Sequence, residues 1–204
     1  VSWLGYYATT GLDCIDAVVL DKWHAPLGTE SQFTESIIRL EAGRFNFQPV
    51  PWAPNVSDLP SASNGFMTFG CFNNTSKLNP AVLEVWANVL HAVPQSKLIL
   101  KWRTLADDAL RQSIYKAFSD QGIDPLRIEL RPASFHADLL HQYADIDIAL
   151  DPFPFTGGLT SCEALWMGVP VITWPQSRVV SRQTFALLST IGMADWAAKN
   201  AEDY

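Results

Sequence analysis

Residues 147–173 read DIALDPFPFTGGLTSCEALWMGVPVIT, and this stretch decides the fold. An apolar run ends at Asp151 and is followed by a loop that contains two prolines and the pair Gly157-Gly158. A short helical pattern begins near Leu159 or Thr160, and a second apolar run, VPVIT, follows it. Continuous apolar runs are typical of strands whose two faces are both covered. The stretch therefore predicts a strand–helix–strand unit in a parallel sheet.

The same alternation extends upstream and downstream of this unit. Three further apolar runs predict strands: FMTFGCF, SKLILKW and RIELRP. Four segments have apolar residues at helical spacing: NPAVLEVWANVLHAV, ADDALRQSIYKAFSDQG, HADLLHQYAD and SRQTFALLSTIG. Asn79 is placed to cap the first of these helices, with Pro80 at its first position. Strict alternation predicts an α/β fold with a doubly wound parallel sheet of Rossmann type, whose loops after the strands meet at one ligand-binding edge.

The amino-terminal quarter of the chain has a different pattern. VSWLGY and DAVVLDKW are short runs that predict strands, and the irregular segment that follows holds one more. The proline-rich stretch PVPWAPNVSDLPSASNG indicates an extended crossing between two units. We therefore predict the end of an amino-side lobe at 1–56, a linker at 57–64 and a nucleotide-binding lobe at 65–204. The first residue is Val and the last run is helix-like, so we expect part of a longer protein with an incomplete carboxyl end.

Composition narrows the classes of function. Among 204 residues, 48% are hydrophobic and 17% charged, which is typical of a globular chain with a sizeable core. The net charge of −7 gives no electrostatic attraction to nucleic acid or to an anionic membrane. The three cysteines are far apart, so neither a zinc site nor a disulfide framework is expected. This cysteine usage favours a reducing compartment, and we expect a cytoplasmic protein without a bound metal or cofactor.

The loop after the strand that ends at Asp151 is the strongest candidate site. Gly157 and Gly158 permit a close backbone approach, and a helix start offers unpaired N–H groups to an anion. Hydroxyl groups follow at Thr160 and Ser161, and the Glu163 carboxylate could accept hydrogen bonds from a ribose. This pattern indicates a diphosphate site. The alternative is that the glycines make only a turn and Thr160 only caps a helix.

A second loop, GCFNNTSKLNP at 70–80, follows the first strand of the predicted sheet. Lys77 is its one cation, and it could neutralise a diphosphate leaving group. The alternative is a solvated loop lysine. Because this loop and the glycine loop should reach the same sheet edge, the functional interpretation is favoured.

Two further segments are weaker candidates. His136 and its backbone follow the third strand and could contact a base, or His136 could simply begin a helix. Gly5 follows the first strand-like run and could line the far side of a cleft. The chain has no GxGxxG fingerprint, no P-loop, no HExxH motif and no arrangement typical of a serine triad.

Several of these stretches together carry a family resemblance. WLGYYATTG, FGCFNNTSKLNP, WANVLHAVP, ALDPFPFTGGLTSCEALWMGVPVIT and SRQTFALL resemble the catalytic region of the protein O-GlcNAc transferase (SPINDLY-like) family, most closely its bacterial members with tetratricopeptide repeats. The resemblance implies a GT-B fold with two Rossmann-like lobes and a UDP-GlcNAc donor held mainly by the carboxyl-side lobe. It also implies inverting, metal-independent transfer of GlcNAc to Ser or Thr hydroxyls of a protein or peptide acceptor.

The resemblance assigns roles residue by residue. It places Lys77 and Asn74 near the diphosphate, Gly157, Gly158, Thr160 and Ser161 in the phosphate turn, Glu163 on the ribose, Ser134 and His136 at the uracil, and Gly5 and Tyr6 beside the transferred sugar. The chain departs from the animal enzymes at Gly158-Leu159-Thr160, where they have His-Thr-Thr. Three alternatives therefore stay open: another nucleotide sugar such as GDP-fucose, a glycan acceptor, or a non-catalytic nucleotide-binding module.

Overall fold

The computed structural model describes residues 1–5 and 7–204. Two parallel strands, β1 (Ala17–Asp21) and β2 (Ser36–Leu40), form a small amino-side sheet. Asp21 ends β1, and its carboxylate accepts a hydrogen bond from His24 Nδ1 over 2.7 Å, with both side chains fully buried. Arg182 Nε donates to the carbonyl oxygen of Trp23 over 2.7 Å. That bond joins the amino-side residues to the far end of the chain.

A five-stranded parallel sheet makes the larger part of the molecule. Its strands are β3 (Thr68–Cys71), β4 (Lys97–Lys101), β5 (Ile128–Arg131), β6 (Ile148–Leu150) and β7 (Val171–Ile172). The spatial order is β5-β4-β3-β6-β7, with every pair parallel. This is the order of the first five strands of a Rossmann sheet. The order in which strands are added along the chain reverses between β3 and β6, although the two strands are parallel. The predicted doubly wound α/β fold is confirmed.

Helices connect the strands. They are α1 (Pro60–Asn64), α2 (Pro80–Ala92), α3 (Asp108–Ser119), α4 (His136–His141), α5 (Leu159–Trp166) and α6 (Gln183–Thr190). Asn79 caps α2 as predicted, because its side chain accepts a hydrogen bond from the Val82 N–H over 3.2 Å. Pro80 occupies the first helical position, where its missing N–H costs nothing.

The core lies on both faces of the large sheet. Leu98 and Leu100 of β4 pack in a cluster with Trp86 of α2, while Ile99 between them packs on the opposite face with Tyr143. Successive side chains of a strand point to opposite faces, so one strand feeds both clusters. Trp86 is completely buried. Because both faces of the sheet are covered, a ligand can reach polar groups only at the edges of the sheet.

Two local predictions are corrected by the structure. Residues 1–5 do not form a strand: Ser2 makes only an isolated parallel bridge with Val18, and Leu4 takes a left-handed φ of 61° that ends any extended run. The proline-rich stretch contains the short helix α1, and the Ser61 N–H donates to Asp147 Oδ1 over 2.9 Å. The division of the chain into two lobes stays a prediction.

Within the described ranges 1–5 and 7–204, no helix is both long and apolar enough to span a bilayer.

Candidate functional site

The glycine loop after β6 is held from inside the molecule. The Gly157 N–H donates to Asp151 Oδ1 over 2.6 Å, which folds the loop back on the end of its own strand. A Cβ atom on Gly157 would overlap Ser161 Oγ and lie 3.0 Å from Thr160 Oγ1. Gly157 is therefore required by packing against the first turn of α5. Gly158 is half-exposed and precedes α5, so it is the glycine that a ligand can approach.

Asp151 is the buried anchor of this loop. In addition to the Gly157 N–H, its carboxylate accepts a hydrogen bond from Thr173 Oγ1 over 2.7 Å. Burial raises the pKa of Asp151 to about 6, although these hydrogen bonds and the nearby positive charge of Lys77 act to lower it. The sequence pattern marked Asp151 only as the end of a strand, and its role in holding the turn was not predicted.

Lys77 reaches from the loop after β3 to the loop after β6. Its Nζ atom donates to Asn73 Oδ1 and to the carbonyl oxygen of Thr156, each over 2.9 Å, and lies 4.4 Å from the centre of the Phe155 ring. Burial lowers the pKa of Lys77, while the negative charge of Asp151 raises it. None of the ion pairs among the described residues involves Lys77. An ammonium group has three N–H donors, so one is left for another acceptor.

Asn73 joins the two loops. Its Oδ1 atom accepts hydrogen bonds from Lys77 Nζ and from Thr160 Oγ1, the latter over 3.0 Å. Sequence reasoning selected its neighbour Asn74, whose side chain instead caps its own loop by accepting from the Ser76 N–H over 3.0 Å. Asn73 is buried and Asn74 is half-buried. The structure thus brings Lys77 and Thr160 together through a residue that the sequence pattern did not single out.

Ser161 points away from the loop surface. Its hydroxyl is buried and lies 2.7 Å from Thr184 Oγ1 of α6. Gln183, which precedes Thr184, is also buried, and its Nε2 donates to the Thr156 carbonyl oxygen over 3.2 Å. These contacts attach α6 to the glycine loop. Of the two hydroxyl residues in the predicted phosphate turn, only Thr160 is placed near Lys77.

His136 and Glu163 form a polar pair at a second point of the same edge. His136 Nε2 lies 2.8 Å from Glu163 Oε1, which connects the start of α4 with α5. The pair lines a cavity of about 240 Å³ whose other walls are mainly apolar. Those walls come from the segment before α1 and from the helices α4 and α5: Phe47, Pro49, Val50, Ala53, Leu140, Leu159 and Trp166. A flat apolar group with a polar edge fits such a cavity.

The remaining predicted residues lie apart from these two groups. Ser134 is exposed and lines a different cavity, beside Lys101 and Arg131, rather than the one that contains His136. Gly5 is exposed in a bend near the amino end. Tyr6 lies outside the described residues. The next residue, Tyr7, contacts the Phe155 ring with centroids 5.2 Å apart, so the amino end does reach the neighbourhood of Lys77.

The sequence matches a known family. The model of glycosyl transferase family 41 matches residues 57–204. The whole chain is 40% identical to the probable UDP-N-acetylglucosamine–peptide N-acetylglucosaminyltransferase SPINDLY of Eustoma exaltatum subsp. russellianum, and it covers 22% of that protein. It is 38% identical to the SPINDLY protein of Arabidopsis thaliana, with the same coverage. The chain therefore spans about a fifth of the length of these curated relatives.

Solved structures agree with this assignment. A mutant of the Thermobaculum terrenum O-GlcNAc transferase superposes with a TM-score of 0.93 at 36% identity, over 99% of this chain and 38% of that one. Sucrose-phosphate synthase from Thermosynechococcus elongatus shares the fold at 14% identity, with a TM-score of 0.56 over 88% of this chain and 50% of its own. The expected GT-B type of fold is confirmed. Because the family model covers most of the chain and the sequence aligns throughout with SPINDLY proteins, the chain belongs to glycosyltransferase family 41, the O-GlcNAc transferase and SPINDLY family.

Proposed function

We propose that this region binds UDP-GlcNAc and that the longer protein transfers GlcNAc, with inversion and without a metal, to Ser or Thr hydroxyls of proteins. One observation carries the proposal. Lys77 is fixed by Asn73 and by the Thr156 carbonyl oxygen beside the start of α5, yet forms none of the ion pairs among the described residues. A partly buried cation without a paired carboxylate, next to a helix start, suits the diphosphate of a nucleotide sugar.

Lys77 is the proposed catalytic residue. In a direct displacement at the anomeric carbon, the oxygen of the acceptor hydroxyl forms the new bond and releases its proton to solvent, while the bond to the UDP oxygen breaks. Negative charge then grows on the diphosphate. Lys77 and the first N–H groups of α5 would stabilise that charge most strongly as it develops. Thr160, held beside Lys77 by Asn73, would add a hydroxyl donor.

The nucleoside is assigned to the cavity beside α4 and α5. Its apolar walls fit the face of a uracil ring, and the Glu163 carboxylate would accept hydrogen bonds from the ribose hydroxyls. His136 holds Glu163 in place from the neighbouring helix. Gly158 permits the diphosphate to approach the backbone between the two groups. Ser134, which faces another cavity, would contact the base only after a local rearrangement.

The relatives support the donor and the acceptor. The SPINDLY proteins are named probable UDP-N-acetylglucosamine–peptide transferases, and a Caenorhabditis elegans relative with that activity in its name is 27% identical over 68% of this chain. Because the chain covers only 22% of the SPINDLY proteins, their activity is carried to this protein as a proposal.

Titration calorimetry with UDP and with GDP tests the donor site. We expect UDP to bind, and Lys77→Met to weaken it at least tenfold, about 1.4 kcal/mol. Lys97→Met is a matched control, because Lys97 Nζ also lies over an aromatic ring, 4.6 Å from the centre of Phe66, but is exposed at the start of β4. Equal losses in the two variants would argue against a special role for Lys77.

The other outcomes bear on the substrate. A preference for GDP would contradict the proposed UDP-sugar donor and favour a fucosyl donor. Binding of neither nucleotide would contradict nucleotide binding by this chain. If UDP binds, transfer of GlcNAc from UDP-GlcNAc to peptides by the longer protein, with and without a chelator, tests the acceptor and the metal independence.

A further inference from the structure

His136 has hydrogen-bond partners on both ring nitrogens. Its Nε2 atom faces Glu163, and its Nδ1 atom lies 3.3 Å from the indole Nε1 of Trp52. The two rings are nearly perpendicular, with an interplanar angle of 84°. Trp52 comes from the segment before α1, so residues from three separate parts of the chain meet here. The sequence pattern gives no signal for a role of Trp52.

The chemistry of the two partners fixes the state of the ring. An indole N–H is only a donor, so the Nδ1 atom of His136 must accept and carry no proton. In the neutral imidazole the proton is then on Nε2, which donates to the Glu163 carboxylate. A protonated ring would carry a hydrogen on Nδ1 and would lose the bond to Trp52. The three side chains thus form one directed chain of hydrogen bonds, Trp52 to His136 to Glu163.

We propose that Trp52 is a positioning residue that holds the His136 ring in the orientation from which Nε2 donates to Glu163. His136 needs such a constraint, because its side chain is 40% exposed whereas that of Glu163 is only 8% exposed. With Oε1 engaged by His136, the Oε2 atom of Glu163 is left for an incoming donor. The ligand part of this inference rests on the proposed function, in which that donor is a ribose hydroxyl.

Nitrogen-15 NMR of histidine-labelled protein tests the contact without any ligand. In the parent we expect Nε2 of His136 to carry a proton and Nδ1 to be unprotonated and hydrogen-bonded. Trp52→Phe keeps an aromatic side chain but removes the pyrrole ring together with its N–H, so the Nδ1 resonance should move towards that of a free nitrogen. Trp3→Phe is the matched control, since Trp3 lies away from this cavity and is 51% exposed, close to the 56% of Trp52.

UDP titration of the same variants tests the positioning role. We expect Trp52→Phe to weaken UDP binding about fivefold, the effect of about one neutral hydrogen bond, and Trp3→Phe to leave it within about twofold. A Nδ1 resonance that is protonated in the parent, or unchanged in Trp52→Phe, would overturn the proposal. A resonance that moves while UDP affinity stays the same would also overturn it. If the parent does not bind UDP, the donor-site proposal fails, and the NMR result still decides whether Trp52 orients His136.

Discussion

Lys77 Nζ donates to the backbone carbonyl oxygen of Thr156 over 2.9 Å, so a side chain from the loop after β3 is anchored on the loop after β6. These two strands are neighbours at the point where the strand order reverses. Loops diverge at such a point and leave a crevice at the carboxyl edge of the sheet. The bond therefore fixes a cation at the place where an α/β sheet offers most room for a ligand.

Asn73 should matter more than Asn74 for nucleotide binding. Asn73→Ala removes the acceptor shared by Lys77 and Thr160, so we expect weaker UDP binding and a loss of about 1–3 kcal/mol in the free energy of unfolding. Asn74→Ala removes only a cap and should leave UDP affinity within about twofold, while costing ~1 kcal/mol of stability. Urea denaturation and UDP titration of the two variants measure both effects. A larger affinity loss in Asn74→Ala would restore the assignment made from sequence.

Gly157 should tolerate no side chain. Gly157→Ala places a methyl group against Ser161 Oγ, and we expect a destabilisation of about 1–3 kcal/mol together with weaker UDP binding. Gly158→Ala is the control, because its nearest neighbour would be Gln183 Oε1 at 3.4 Å, an ordinary contact. Thermal unfolding of the two variants gives the comparison. Since Ser161 Oγ makes the closest contact, adding Ser161→Ala to Gly157→Ala should recover part of the stability. No recovery would place the strain elsewhere.

Asp151 should make stability fall as pH rises. Its pKa is 3.8 in the unfolded chain and about 6 in the fold, so the folded state binds the proton more tightly. That contribution is fully present below pH 3.8 and is lost as pH rises through about 6, amounting to roughly 3 kcal/mol at most. Asp151→Asn cannot titrate. Urea denaturation between about pH 4.5 and 7.5 should therefore show the parent losing stability relative to this variant. A constant difference between the two would contradict the raised pKa.

Tyr204 should contribute through its hydroxyl group. That group donates to the Asp151 carbonyl oxygen over 2.8 Å and accepts from Trp86 Nε1 over 3.2 Å. Tyr204→Phe leaves the buried indole N–H without its partner, and we expect a loss of about 1–3 kcal/mol in the free energy of unfolding. Tyr115→Phe is the control, since among the described residues the Tyr115 hydroxyl has no hydrogen-bond partner. Equal stabilities of the two variants by urea denaturation would show that the hydroxyl contributes nothing.

Much of the fold could be predicted from local pattern. The alternation of apolar runs with helical segments gave the sheet, and Asn79 with Pro80 located the start of α2. The strand predicted at the amino terminus was wrong, because the left-handed backbone of Leu4 overrides the β propensity of the neighbouring residues. No sequence pattern signals that conformation. Propensity describes the local preference of a segment, but whether the segment forms a strand depends on a partner strand in the folded chain.

The candidate site was predictable only to the level of its loops. Lys77 and the glycine loop could be placed at one edge, because parallel strands send their following loops to the same side. The choice between Asn73 and Asn74 could not be made from sequence. All four residues of β3 are buried, so the strand shows no alternation of polar and apolar residues that would tell which of the two side chains faces the ligand-binding edge. The contact between Trp52 and His136 joins distant segments, and a single sequence carries no periodic signal for it.

The strand order has a consequence for how the molecule is assembled. β3, β4 and β5 follow one another along the chain and can pair through local crossovers, whereas β6 must return to the far side of β3. Lys77 belongs to the early group and the glycine loop to the late one. A partly folded chain with only the first three strands would carry the cation but not the turn that it is anchored to. The cation and the turn that anchors it therefore come together only when both halves of the sheet are paired.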